Sequence, residues 1–221
     1  MMVRVGVIDS GGPAAEAGHA LGFAPDGSAR PARPDRLGHG TAVAGMIRRA
    51  APGAAILHAQ VFDDRPVTSA LRVAAALRWL AGRSARPDLV CLSLGLGADR
   101  AVLRAAIAEA VEAGLVIVAA HPARGGPCYP AAYPGVIAAT GDARCGWDEI
   151  SQLGPALFGA WCNSPERGGG GMAGASLGAA RLAGHLAAIA AAEGELSSPA
   201  AARAALARRA GHVGPERRRA G

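Results

Sequence analysis

Val3-Arg4-Val5-Gly6-Val7-Ile8-Asp9-Ser10-Gly11 lies near the start of the chain, an apolar run closed by a carboxylate and two small residues. A short, nearly uninterrupted apolar run bounded by turn residues predicts a strand buried on both faces, the kind that parallel sheets contain. Comparable runs recur at residues 55–61, 89–94, 115–120 and 136–140. Between them, residues 68–82 and 99–114 have helical length, and both end at glycine, which closes helices because it tolerates the left-handed backbone. Strands alternating with helices predict an α/β chain in three layers, a mostly parallel central sheet flanked by helices. Further helices are expected to begin near His39 and at Ser176, the second running through Leu182, Leu186 and Ile189. Ser198-Pro199 has the form of a cap followed by proline in the first turn, opening a last helix that ends near Gly211. The polar, Pro-rich residues 11–34 read as loop or short helix, the glycine run at 168–171 as loop, and no internal repeat is present.

The 221 residues, 51% of them hydrophobic, suffice for one α/β domain and not for two. Residues 1–210 are expected to form that domain and residues 211–221 a basic, disordered tail. The net charge is +6 without any lysine, and Arg208, Arg209, Arg217, Arg218 and Arg219 crowd the C-terminal end. No aromatic residue interleaves with those arginines, so no nucleic-acid partner is expected. The first apolar run is far too short for a signal peptide or a bilayer span, which predicts a cytoplasmic protein with no membrane partner. Cys91, Cys128, Cys145 and Cys162 fit no Cys-x-x-Cys spacing and are expected to be free thiols; an oxidising compartment would leave a disulfide among the last three open.

Three distant stretches carry one chemistry. Asp9 closes the first strand, His39 stands in Gly38-His39-Gly40-Thr41-Ala42-Val43-Ala44-Gly45, and Ser176 stands in Gly174-Ala175-Ser176-Leu177-Gly178-Ala179-Ala180. A serine hydroxyl is a poor nucleophile at neutral pH, so it needs an imidazole to take its proton and a carboxylate to hold that imidazole in the right tautomer. The carboxyl end of a parallel strand is where open sheets place their ligand crevice, and helices starting at His39 and Ser176 would bring the other two groups to that edge. The Ser176 helix would aim its positive end at a developing oxyanion. Gly174, Ala175, Gly178, Ala179 and Gly184 would let it pack closely. Each residue alone also has an ordinary reading, Asp9 capping a turn, His39 opening a helix, Ser176 serving as N-cap; the inference rests on all three, in this order and with these flanks.

The three stretches resemble the Asp, His and Ser motifs of the subtilisin-like serine proteases, whose triad runs in that chain order. Leu92-Ser93-Leu94-Gly95 resembles the segment that pairs with an extended peptide in that family, and Tyr133-Pro134-Gly135-Val136-Ile137-Ala138 another family segment. The resemblance runs from about Val3 to Ala192. It implies a subtilisin-like fold and a serine endopeptidase acting on a peptide or protein substrate. Ser176 would attack the carbonyl, His39 shuttle the proton and Asp9 orient the imidazole, with substrate held along Ser93, Leu94, Gly95 and Ala120.

The chain also departs from the family pattern. An asparagine that donates to the oxyanion is expected just after the fourth strand, yet Val118-Ala119-Ala120-His121-Pro122-Ala123-Arg124 has none, and Asn163 is the only asparagine of the chain. His121 is the candidate substitute donor, with Arg124 beside it. Residues 44–57 lack the insertion that builds a calcium loop in many relatives, and no aspartate cluster replaces it, so neither a metal nor another cofactor is expected. Ala42 and Ala175 stand where relatives often carry His and Thr. No room precedes Val3 for a folding propeptide, so unaided folding is expected. A short member of this kind is similar to the small subtilisin-like enzymes that trim leader peptides from modified peptides or enzyme subunits, and the arginine surplus suits an acidic leader.

Other readings are weaker or remain open. Gly174-Ala175-Ser176-Leu177-Gly178 also fits the nucleophile elbow of α/β-hydrolases, but that fold places its acid and histidine after the serine, and no aspartate follows Ser176. The glycine run at 168–171 lacks the lysine and the frame of a phosphate cradle. The missing asparagine leaves open a pseudoprotease that binds a peptide along Ser93-Leu94-Gly95 without cutting it.

Overall fold

The first apolar run forms strand β1 (Arg4–Asp9) in a computed structural model that describes residues 2–84, 86–163, 172–194, 196 and 198–216. A 3₁₀ helix (Ala14–His19), β2 (Ala20–Phe23), β3 (Ala29–Pro31), α1 (His39–Ala50), β4 (Ala55–Gln60), α2 (Ala70–Ala81) and β5 (Leu89–Leu92) follow. Next come α3 (Ala101–Glu112), β6 (Val116–Ala120), β7 (Ile137–Gly141), β8 (Ile150–Gln152), β9 (Leu157–Ala160), α4 (Ala175–Glu193), α5 (Pro199–Arg209) and β10 (Ala210–Val213). All strands join one sheet in the order β10-β8-β9-β7-β6-β5-β1-β4-β2-β3. Among the described residues, the β8–β9 and β2–β3 strand pairs are antiparallel and the other strand pairs parallel.

Helices on both faces explain the unbroken apolar runs. Val5, Val7, Leu89, Cys91, Val116 and Val118 pack with residues of α1, α4 and α5, whereas Ile8, Val90, Leu92, Ile117 and Ala119 pack with residues of α2 and α3. Alternate residues thus enter different cores, and neither face can be polar. Ser69 caps α2 by accepting from Arg72 N–H, and Ser198 caps α5 by accepting from Ala201 N–H, with Pro199 in the first turn as expected.

Two expectations are corrected. Residues 11–34 contain the expected short helix, at Ala14–His19, but are more than loop and helix, because β2 and β3 form a hairpin whose turn is fixed by the Asp26 carboxylate accepting from Ser28 N–H and Oγ–H. The chain also does not fray at Gly211: β10 pairs with β8, and Gly214 N–H donates to the Gln152 carbonyl. Arg217 to Arg219 and the glycine run at 168–171 lie outside the described residues. Among the described residues, α4 is the one helix long and apolar enough to cross a bilayer; its burial against the sheet and α1 accounts for that composition.

Candidate active site

From β1 the chain passes through α1 to β4 on one side, then through α2 back to β5 on the other. Connections that leave in opposite directions open a crevice at the carboxyl ends of the strands. Asp9 closes β1 at that point and is fully buried. Its carboxylate accepts from Ser10 N–H at 2.7 Å and from His39 Nδ1–H, 2.8 Å to Oδ1 and 2.9 Å to Oδ2. A proton on Nδ1 committed to the carboxylate leaves Nε2 as the basic nitrogen of His39.

The residues flanking His39 explain how it arrives there. Gly38 caps α1 in the left-handed conformation, φ 67°. Gly40 presses on the loop after β1, where an added Cβ would stand 2.1 Å from the Gly11 carbonyl oxygen, and its N–H donates to Ser10 Oγ at 2.9 Å. Because glycine offers no capping side chain, Asp35 does that work from the preceding loop: it accepts from Gly38 N–H, Thr41 N–H and Thr41 Oγ–H at 2.9, 2.9 and 2.7 Å. Burial alone would raise the Asp35 pKa, but the bonds from Thr41, Ser10 and Gly38 outweigh it and hold the carboxyl below its usual range. The His39 pKa is raised, first by the hydrogen bond to Asp9, against burial, and with help from the charges of Asp9 and Asp35.

Ser176 is the second residue of α4 and is not its cap; Gly174 holds that position at φ 114°. Ser176 Oγ–H donates to the Ser93 carbonyl at 2.9 Å, and Ser93 Oγ–H donates back to the Ser176 carbonyl at 3.2 Å. The reciprocal pair ties the start of α4 to the chain leaving β5. Ser176 and His39 line one cleft of about 570 Å³, with apolar walls from Leu37, Phe62, Val67, Leu96 and Met172. The Ser176 hydroxyl is engaged by the Ser93 carbonyl, so proton transfer to Nε2 requires that bond to be given up. Beneath the pair, burial pushes the Cys91 thiol up to about 12, which keeps it neutral. All four cysteines are free.

Of the residues assigned to substrate binding and to the oxyanion, Ser93, Leu94 and Gly95 line the cleft, and Ala120 and His121 do not. Ala120 is buried at the end of β6, where its carbonyl faces the Cys128 thiol at 3.9 Å. His121 extends the β6–β7 ladder by donating its N–H to the Ala139 carbonyl at 2.7 Å, and its Nδ1–H is bound to the Pro122 carbonyl at 2.8 Å. Side chains alternate along an extended segment. The ring therefore leaves the face that Ala120 shares with α4 and lines a separate cavity with Arg124, Thr140, Asp142 and Leu153. This corrects the expectation of His121 as oxyanion donor. The first-turn N–H groups of α4, at the positive end of its dipole, stand at Ser176 itself. Sequence reasoning missed Asp35, although an acidic residue just ahead of a helix start that lacks a capping side chain was the available signal.

A family model described as the subtilase family matches residues 3–220. The chain is 34% identical over 161 residues to the subtilisin-like protease het-Q2 of Podospora anserina, a match covering 67% of this chain and 42% of that protein. It is 32% identical over 146 residues to the thermostable alkaline protease of Halalkalibacterium halodurans, covering 61% of this chain and 40% of the relative. The chain thus spans about two fifths of the length of these curated relatives. Two examples among the solved structures that share the fold show its extent. A cold-adapted subtilisin-like serine proteinase superposes with TM-score 0.73 at 21% identity, over 91% of this chain and 80% of that one. The nisin leader peptidase NisP of Lactococcus lactis superposes with TM-score 0.68 at 20% identity, over 89% and 79%.

Proposed function

The chain belongs to the subtilase family, and from that premise we propose that it is a serine endopeptidase whose nucleophile is Ser176, whose general base is His39 and whose orienting carboxylate is Asp9. The observation that carries this reading is an imidazole anchored through Nδ1 to a buried carboxylate and sharing one cleft with a serine at a helix start. In this mechanism a peptide lies along Ser93-Leu94-Gly95 and the Ser176 hydroxyl swings from the Ser93 carbonyl to His39 Nε2. Oγ attacks the peptide carbonyl as its proton passes to the imidazole, and the imidazolium is stabilised by Asp9. The oxyanion faces the N–H groups at the start of α4, without a side-chain donor from the loop after β6. His39 then gives its proton to the leaving amine, and water releases the acyl group by the reverse sequence.

The finer reading is a dedicated cytoplasmic processing enzyme that removes an acidic leader. The net charge of +6 and the four free cysteines support it. So do a leader peptidase among the proteins that share the fold and the resemblance to small processing subtilases such as the maturation protease of quinohaemoprotein amine dehydrogenase. A fluorophosphonate probe tests the activity. Labelling of the folded protein, abolished in Ser176→Ala and His39→Ala, is expected. A folded protein that resists labelling overturns the reading in favour of a peptide binder that does not cut, for which the hydroxyl resting on the Ser93 carbonyl is the specific argument.

A further inference from the structure

The segment Ser93-Leu94-Gly95-Leu96, which continues from β5, has an open side and a closed one. Ser176 is tied to Ser93 just past β5, and two residues later Gly178 rests on the Thr140 carbonyl of β7, where an added Cβ would stand 2.4 Å from the oxygen. Since β6 lies between β5 and β7, the first turn of α4 stands over the carboxyl end of β6. The slot between the chain leaving β5 and the chain leaving β6 therefore opens beside Ser176.

Cys128 fills that slot. An added Cβ on Gly95 would stand 2.2 Å from Cys128 Sγ, and the same thiol faces the Ala120 carbonyl at 3.9 Å. The next residue holds it in place. Tyr129 N–H donates to the Leu96 carbonyl at 2.9 Å, Leu96 N–H donates to the Tyr129 carbonyl at 2.7 Å, and Ala132 N–H closes on the Cys128 carbonyl at 2.9 Å. The open cleft lies on the His39 side, and neither Cys128 nor Ala120 lines it.

We infer that Cys128 is a specificity-determining residue: by filling the slot beside Ser176 it restricts the substrate residue bearing the attacked carbonyl to glycine, alanine or serine, and large apolar side chains are left to the open cleft. An extended peptide directs alternate side chains to opposite sides. The residue whose carbonyl meets Ser176 turns its side chain into the slot, and its neighbour turns toward Phe62, Val67, Leu96 and Met172. The meaning of "attacked" rests on the proteolytic reading, whereas the size limit is a property of binding and can be read without turnover.

Two measurements test it. Acetylated apolar tetrapeptides ending in glycine, alanine, leucine or phenylalanine, which mimic the acyl product, are titrated onto Ser176→Ala protein by calorimetry. The parent is also given a mixed peptide library whose cut positions are read by mass spectrometry. Peptides with glycine or alanine at the varied position are expected to bind, and to be cut, at least about tenfold better than those with leucine or phenylalanine. Cys128→Gly is expected to raise kcat/KM for leucine by about tenfold or more, with Cys128→Ala as the milder variant should the first not fold. Absence of a size preference in binding, or an unchanged profile in a folded Cys128 variant, overturns the inference. Size-selective binding without any cleavage would instead remove the proteolytic reading and leave the role of Cys128 standing. Indiscriminate cleavage would do the reverse.

Discussion

Asp9 makes His39 a better base and also harder to keep unprotonated. The hydrogen bond to the buried carboxylate is the largest influence on the imidazole and raises its pKa above the ordinary 6.5, against the opposing effect of burial. A general base must be neutral to accept the Ser176 proton, so kcat/KM is expected to rise with pH through a midpoint above 6.5. Stability runs the other way. A group whose pKa is raised by folding stabilises the native state while protonated, so this contribution is complete below the unfolded value and fades as pH climbs through the folded one. Asp9→Asn removes the charge, leaves burial to lower the midpoint, and is expected to cost on the order of 10⁴-fold in turnover by releasing the tautomer. Titration of the His39 ring by NMR in parent and variant checks both shifts; a parent midpoint at or below 6.5 would mean that burial outweighs the Asp9 bond, and one unmoved by Asp9→Asn would mean that Asp9 does not stabilise the imidazolium. The three residues could be read from the chain because their flanking glycines are local signals. The acceptor chosen by the Ser176 hydroxyl could not, because Ser93 and His39 compete for it only once three distant segments have met. The ring of His121 escaped for a related reason, since only the pairing of β6 with β7 decides which face it takes.

The glycines of α4 show what a helix must give up to carry a nucleophile into a packed core. Gly178 meets the Thr140 backbone, and Gly184 meets α1, where an added Cβ would stand 2.7 Å from Ala50 Cβ and 2.9 Å from the Ile47 carbonyl oxygen. Backbone cannot step aside as a flexible side chain can. Gly178→Ala and Gly184→Ala are therefore each expected to destabilise the fold by about 1–3 kcal/mol through overpacking, despite alanine's roughly 1 kcal/mol advantage in a helix. Gly45, inside α1 with nothing within 4 Å of an added Cβ, is the control, and Gly45→Ala is expected to be neutral or stabilising by up to about 1 kcal/mol. Urea unfolding of the three variants decides the matter; equal behaviour would show that α4 has room to shift. The same elements show where a sequence stops speaking. β1, β4, β5, β6 and β7 declared themselves because burial on both faces demands apolar runs, with boundaries displaced by only a residue or two. β2, β3, β8 and β10 are three or four residues long and lie toward the sheet's margins. Their pairing follows from the turn at Asp26 and from partners such as Gln152 rather than from their own composition.

Over the whole molecule, charge is arranged so that many arginines already have acids to answer. Asp63 takes both Arg30 and Arg72, Asp142 takes Arg144, and Glu109 takes Arg78. What remains is the surplus of the chain as a whole, +6, which acts on an approaching substrate through its long-range field rather than through any one contact. Such a field accelerates encounter and is screened by salt, whereas the apolar cleft walls that receive the side chains are not weakened by it. If the substrate carries an acidic leader, raising ionic strength from about 0.1 M to about 1 M, which shortens the screening length from ~10 Å to ~3 Å, should lower kcat/KM by several-fold to about tenfold, through KM and not kcat. A peptide of the same cleavage sequence with a neutral leader should hold or improve, because salt favours apolar burial. Both peptides run side by side separate steering from a general effect of salt on the enzyme. If they respond alike, the acidic leader is withdrawn as the substrate's signature, and specificity is left to the slot beside Ser176 and the apolar cleft across from it.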